Sequence, residues 1–223
     1  MNYRIIQIPV TALRQNCRII VDTASNSGAI VDPGGDVNLI IKSVKKEALD
    51  IKYVLLTHAH FDHAGGVEKL LKELKKLGHK PIFAAHKAEA ELRANVSMQV
   101  AMYGIGDEGF QDCPEPDKYL DDEEVLVLGE NVRIKALFTP GHSPGHLSFL
   151  VSDSKPRCVI TGDVLFNNSV GRTDLPLPGC SHSRLIDSIR SKLLVLPEEV
   201  LVMPGHGADS SIGDEIKYNP FLV

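Results

Sequence analysis

Three histidines and an aspartate fall within six residues, His58 to His63 of THAHFDHAGG (57–66), directly after the apolar run YVLL (53–56). The longer run KYVLLTH (52–58) suits a strand buried on both faces, so these polar side chains stand where a buried strand emerges. Residues two apart at a strand end share a side. His58 and His60 therefore face one point, and Asp62 and His63 can face a second point where the chain turns. The next segment is the clearest helix in the sequence: Val67, Leu70, Leu71, Leu74 and Leu77 form one stripe, the charged residues face away, and Gly78 stops it. The local architecture is thus strand, turn, helix, with the chemistry at the turn.

The remaining pattern mixes strands and helices throughout. RIIQIPV (4–10), CRIIVD (17–22) and GAIVD (28–32) read as short β-branched strands. Residues 36–49 are helical by the spacing of Val37, Ile40, Ile41, Val44 and Ala48. PIFAAH (81–86) reads as a strand and 86–104 as one helix, followed by a polar loop over 104–124. EVLVLG (124–129) and VRIKALFT (132–139) form a hairpin; LSFLVS (147–152), RCVITGD (157–163) and VLVMPGHG (200–207) are further strands, with a loop over 164–182 and a helix over 183–196. No repeat or low-complexity linker marks a boundary, so the 223 residues read as one α/β domain, with two packed sheets and helices outside them.

His142 in TPGHSPGH, Asp163 in VITGD and His206 in MPGHG repeat the arrangement of the opening motif: each is a ligand-type residue at the end of an apolar strand, beside glycine. Loops at strand ends carry sites on a rigid scaffold. One hypothesis accounts for five of the nine histidines. The set is nitrogen and oxygen without thiolate, which suits zinc, iron or manganese in an open catalytic site. A net charge of −5 argues against a mainly electrostatic nucleic-acid binder. No apolar stretch reaches the roughly 20 residues of a membrane span, and the N-terminus lacks a secretory pattern. The four cysteines are widely spaced, which fits a cytoplasmic protein without a disulfide framework; Cys17 and Cys158 read as buried thiols.

THAHFDH, followed in order by His142, Asp163 and His206, resembles the metallo-β-lactamase superfamily over nearly the whole chain. Within it the sequence is similar to glyoxalase II (hydroxyacylglutathione hydrolase) and its short bacterial relatives of YcbL type. NYRIIQIPVTALRQNC, VDPGGD, TPGHSPGH, SVGRTDLP and the tail NPFL carry the closer match. The resemblance implies a four-layer αββα sandwich with two divalent metal ions at one edge of the sheets, zinc first, iron or manganese otherwise. It assigns His58, His60 and His142 to the first ion, Asp62, His63 and His206 to the second, and Asp163 to a bridge between them. It also implies hydrolysis of a small thioester of the S-lactoylglutathione type by a metal-bridging hydroxide, which Asp62 orients. The expected partner is a small-molecule thioester, with no nucleic acid or membrane, and the chain is a monomer or homodimer.

Glyoxalase II binds glutathione through a C-terminal helical region. Only 17 residues follow His206 here, so the expectation is that the catalytic groups carry over and glutathione recognition does not. The rival readings are a persulfide dioxygenase using a single iron at the first site, a lactone or other ester hydrolase, and a metal-stabilised scaffold without activity. GRTDLP and NPFL lean away from lactamase or lactone chemistry. His146 reads as a support behind a ligand or as plain structure. Asp174, beside Arg172, reads as a proton acceptor for a ligand histidine or as a surface turn, and Asp32 as a turn residue or a support. His182 opens a helix; His79 and His86 read as surface or packing residues. Tyr103, Met98 and Met102 read as helix packing rather than pocket.

Overall fold

The computed structural model describes residues 2–106 and 109–222. Its first sheet contains β1 (Tyr3–Val10), β2 (Gln15–Asp22), β3 (Ser27–Val31), β4 (Asp50–Leu55), β5 (Ile82–Ala85) and β6 (Lys118–Tyr119), ordered as they occur in the chain. β1, β2 and β3 pair antiparallel, and β3 to β6 pair parallel. Next come β7 (Val125–Leu128), β8 (Val132–Phe138), β9 (Leu147–Ser152), β10 (Pro156–Gly162), the small hairpin β11 (Leu165–Phe166) with β12 (Ser169–Val170), β13 (Leu201–Pro204) and β14 (Ser210–Ser211). The second sheet runs β14-β13-β10-β9-β8-β7.

Strand alternation builds the layers. In β2, Ile19 and Val21 pack outward with Ile40, Val44, Leu70 and Leu74 of α1 (Val37–Lys46) and α3 (Val67–Lys76), while Ile20 points inward to Ile134, Phe149 and Ile160 of the second sheet. In β10, Cys158 and Ile160 point inward, and Val159 packs outward on Leu185, Ile189 and Leu193. The result is helix, sheet, sheet, helix: the four-layer αββα sandwich expected from the sequence. Burying a leucine or isoleucine in these layers contributes roughly 1.5–3 kcal/mol each. Among the described residues no helix is long and apolar enough to cross a membrane.

Several elements differ from their sequence readings. α1 stops at Lys46 because Ala48 takes a positive φ of 48°, leaving Ala48 outside the stripe. β4 ends at Leu55, so His58 lies in a loop beyond the strand. The helix expected over 86–104 is a 3₁₀ turn (Lys87–Glu89), α4 (Ala90–Ala94) and α5 (Val96–Met102), broken at Asn95, whose φ of −126° is not helical. The loop over 104–124 contains β6, and the loop over 164–182 contains the β11–β12 hairpin; Asp107 and Glu108 lie outside the described residues. The helix over 183–196 is α6 (His182–Ser188) running into a π turn, Ile189–Leu193. The tail, to which the sequence pattern assigns no element, forms α7 (Ile212–Tyr218). Buried Glu215 anchors it by accepting from the Asn168 N–H and the Asn219 amide. Met98 and Met102 are exposed rather than packed, because the face of α5 that turns inward carries Val96 and Gln99.

Candidate metal centre

All the ligand candidates gather at one edge of the two sheets, on the loops after β4, β8, β10 and β13. His60 caps α2 (Phe61–Ala64), so Asp62 and His63 sit on its single turn. Gly65 and Gly66 then lead into α3; a Cβ on Gly66 would stand 2.3 Å from the Pro33 carbonyl, which accounts for the close-packed AGG. His58 and His60 converge with His142, Asp62 and His63 converge with His206, and His58 and His63 converge with Asp163; within each group the ligand atoms lie within 4.8 Å of one another. Asp163 stands between the groups: its Oδ1 is 3.3 Å from His63 Nε2, and its Oδ2 is 3.8 Å from both His142 Nε2 and His206 Nε2. Gly205 leaves the room for this, since a Cβ there would lie 2.3 Å from Asp163 Oδ1 and 2.7 Å from His63 Cε1.

The chemistry of this cluster fits a cation. The Nε2 atoms of His58, His60, His63 and His142, and Oδ1 of Asp163, are buried and have no hydrogen-bond partner. Five such atoms aimed at one small volume would each cost about 1–3 kcal/mol if nothing met them.

The hydrogen-bond network assigns the tautomers. Asp32 Oδ1 accepts from the Thr57 N–H (2.7 Å), and its Oδ2 accepts from the Thr57 hydroxyl (2.7 Å). Thr57 has thereby spent its only hydroxyl proton, so its oxygen accepts from His58 Nδ1 (3.0 Å). His63 Nδ1 donates to Asp32 Oδ2 (2.9 Å), and His142 Nδ1 donates to the Arg172 carbonyl (2.7 Å). In His58 and His142 the outer nitrogen carries the proton and the inner Nε2 lone pair faces the cluster, as a metal ligand requires; His63 also donates outward, and a proton on its Nε2 is the one a cation would displace. Burial, reinforced by neighbouring imidazoles, holds His58 well below the usual histidine range, and burial with His142 pushes His60 down to about 3 against Asp62 and Asp163. These rings are therefore neutral. Burial opposes a proton on His63 and His206 too, but Asp163, Asp62 and Asp32 outweigh it at His63, and Asp62 and Asp163 do so at His206.

Residues behind the cluster hold its loops. Buried Glu89 accepts from the Ala59 N–H (2.8 Å), the Ser143 hydroxyl (2.7 Å) and the Gly145 N–H (2.6 Å), so one carboxylate ties the His58–His60 loop to the His142 loop. Gln99 accepts from the Phe61 N–H and donates to the Ala59 carbonyl. This support, rather than a strand pleat, makes His58 and His60 converge. Asn16 and Arg18 donate to the Pro204 carbonyl and position the His206 loop.

His146 is a support: its Nε2 accepts from the Asp163 N–H (3.2 Å), with Nδ1 bonded to Thr139 Oγ1 (3.0 Å). Asp32 is a support as well. Asp174 is a surface residue that pairs with Arg172, and it is the Arg172 carbonyl that meets His142. His182 is the first residue of α6, capped by Ser181. His86 is buried, stacked on Phe138 and accepting from the Ala88 N–H; His79 lies 3.8 Å from Asp50. Cys17 and Cys158 are buried, and burial raises both thiols, Cys17 far above the usual range and Cys158 to about 11. The sequence does not single out Glu89 or Gln99, because a glutamate and a glutamine in a helical stretch carry no local signal of burial. Thr57 has one available signal, its place directly before His58.

The centre opens into a cavity of about 480 Å³, which Tyr103 helps to line, contrary to its reading as helix packing.

The profile of the metallo-beta-lactamase superfamily matches residues 10–206. The hydroxyacylglutathione hydrolase GloC of Haemophilus influenzae is 36% identical over 222 residues, spanning 100% of this chain and 98% of that protein. Among solved structures, the BLEG-1 B3 metallo-beta-lactamase matches with a TM-score of 0.84 and 33% identity over 98% of this chain and 99% of its own. TTHA1623, solved in a di-iron-bound form, matches with a TM-score of 0.82 and 30% identity over 97% of this chain and 100% of its own.

Proposed function

Because this chain belongs to the metallo-β-lactamase superfamily, we propose that it is a metal-dependent hydrolase of small thioesters of the S-lactoylglutathione type. The observation that carries the reading is the set of five buried, unpartnered donor atoms converging at the sheet edge. The full-length likeness to a protein named hydroxyacylglutathione hydrolase supports the substrate class.

In this reading His58, His60 and His142 would hold one divalent ion and Asp62, His63 and His206 a second, with Asp163, which stands between the two groups, serving both. Bound there, the ions supply Lewis acidity and bring the pKa of water towards neutrality. Asp62 lines the cavity, with its Oδ2 3.0 Å from His206 Nε2; beside its ligand role it would accept a hydrogen bond from the attacking water and aim it. Burial opposes ionisation of Asp163, yet His63, His142 and His206 keep its carboxyl far below the ordinary range; it stays an anion and offsets the gathered positive charge. His146 fixes the Asp163 backbone, and Asp32 fixes the His63 ring directly through its outer nitrogen and the His58 ring by way of Thr57. The departing thiolate, whose parent thiol has a pKa of about 8.5, leaves without a general acid.

Metal-loaded protein assayed against S-lactoylglutathione and a panel of acyl thioesters should show turnover well above that of the free metal. Turnover no faster than the free metal across the panel would remove this function.

A further inference from the structure

The cavity beside the centre has a floor and walls of opposite character. Its floor carries His60, Asp62, His142, Asp163 and His206, whereas Tyr103, Ile105, Phe166, Val170, Leu175 and Leu177 form most of the walls. Of the polar side chains in the walls, Gln99 and Arg172 are engaged, which leaves the neutral hydroxyls of Tyr103 and Ser169 among the apolar groups. The Gln99 amide is spent on the Phe61 N–H and the Ala59 and Leu92 carbonyls. Arg172, the only lysine or arginine among the described lining residues, forks onto Asp174 at 2.9 and 3.1 Å, with both side chains more than half exposed. An exposed, already paired guanidinium gives an incoming carboxylate at most about 1 kcal/mol, while each methylene laid against the walls leaves water at a gain of about fourfold in affinity.

Resting on the thioester-hydrolase reading above, we infer that this site selects its substrate by a short hydrocarbon group on the thioester, and that the charged ends of glutathione add little. The scissile carbonyl lies over the floor and the hydrocarbon group fills the space between Phe166, Leu175 and Ile105. A lactoyl group, short and hydroxylated, leaves those walls uncovered. Within the small thioesters, the preferred substrates are then those with an apolar acyl group on a small carrier, with lactoyl accepted less well.

The test separates selectivity from activity. S-methyl, S-butyl and S-hexyl thioethers of N-acetylcysteamine and of glutathione, which cannot be hydrolysed, are titrated into metal-loaded protein by calorimetry. Affinity should rise about fourfold per methylene in both series, and the two carriers should agree within about fivefold at equal chain length. Affinity that does not change with chain length, or a glutathione series tighter by about tenfold or more, overturns the inference. The Leu175→Lys variant, altered at a half-buried wall position, should weaken the neutral S-hexyl thioether and tighten its glutathione counterpart; unchanged discrimination overturns the inference as well. In parallel hydrolysis assays on one carrier, hexanoyl should exceed lactoyl in kcat/KM. The reverse order overturns the inference and leaves the hydrolase reading standing. Absence of all turnover removes the hydrolase reading, and the thioether titrations then decide the selectivity alone.

Discussion

Replacing Asp32 by asparagine alters one atom type at the hub behind the ligands, with almost no change in volume. Asp32 accepts three short hydrogen bonds, from the Thr57 N–H at 2.7 Å, the Thr57 hydroxyl at 2.7 Å and His63 Nδ1 at 2.9 Å. An amide cannot accept all three. If its NH₂ takes the Oδ1 position it meets the Thr57 N–H donor head on. If it takes the Oδ2 position it donates to His63 Nδ1, so the His63 proton moves to Nε2 and the inward lone pair is lost. Either orientation leaves a buried donor unpaired at about 1–3 kcal/mol. Supports of this kind are worth about 10–100-fold in metal affinity, or about 1.4–2.8 kcal/mol. The loss should fall on the group built around His63, with a smaller effect on the one built around His58, which Thr57 still contacts. Chelator competition resolves the two equivalents separately, and circular dichroism of the apoprotein checks the fold. An Asp32→Asn protein that binds both equivalents with wild-type affinity would refute the tautomer argument.

Asp163→Ala should abolish turnover and weaken both ions, whereas His206→Ala should empty mainly the second; elemental analysis beside the activity assay checks both. Asp153→Asn should lower the Tm at neutral pH, because this carboxyl accepts from Arg157, the Asn2 N–H and the Ser154 N–H, and the Arg157 bond first among them holds its pKa far below the ordinary range. A lowered folded pKa means the Asp153 contribution is complete above about pH 4 and is lost as the pH falls through the lowered value. The Tm gap between wild type and variant should narrow towards low pH in thermal scans, and a gap that widens there contradicts the assignment.

The layers and the cluster are legible in the sequence because both rest on local pattern. Strand alternation around Ile19, Ile20 and Val21 assigns faces by itself, and His58 to His63, His142, Asp163 and His206 are rare residue types at strand ends. The support behind them is not legible. Glu89 meets partners 30 and 56 residues away, and nothing in HKAEAEL (86–92) distinguishes it from the exposed Glu91. The same glutamate explains why the 86–104 segment starts as a 3₁₀ turn: its last residue is drawn beneath the ligand loops. Asp32 reads equally as turn or support because VDPGGD satisfies a turn without reference to His63. The tail helix has a local start signal, Ser211 capping it by accepting from the Asp214 N–H, but its seven residues are too few for a periodic stripe, and its anchors, Asn168 and Ser169, sit on a distant hairpin.

The central claim is that the sheet edge is built for two ions. Elemental analysis of the purified protein, together with reconstitution of the apoprotein with a divalent metal and removal of excess, tests it most directly. The account predicts two ions per chain, and one in His206→Ala. A wild-type chain that saturates at one ion, or retains none, would contradict it.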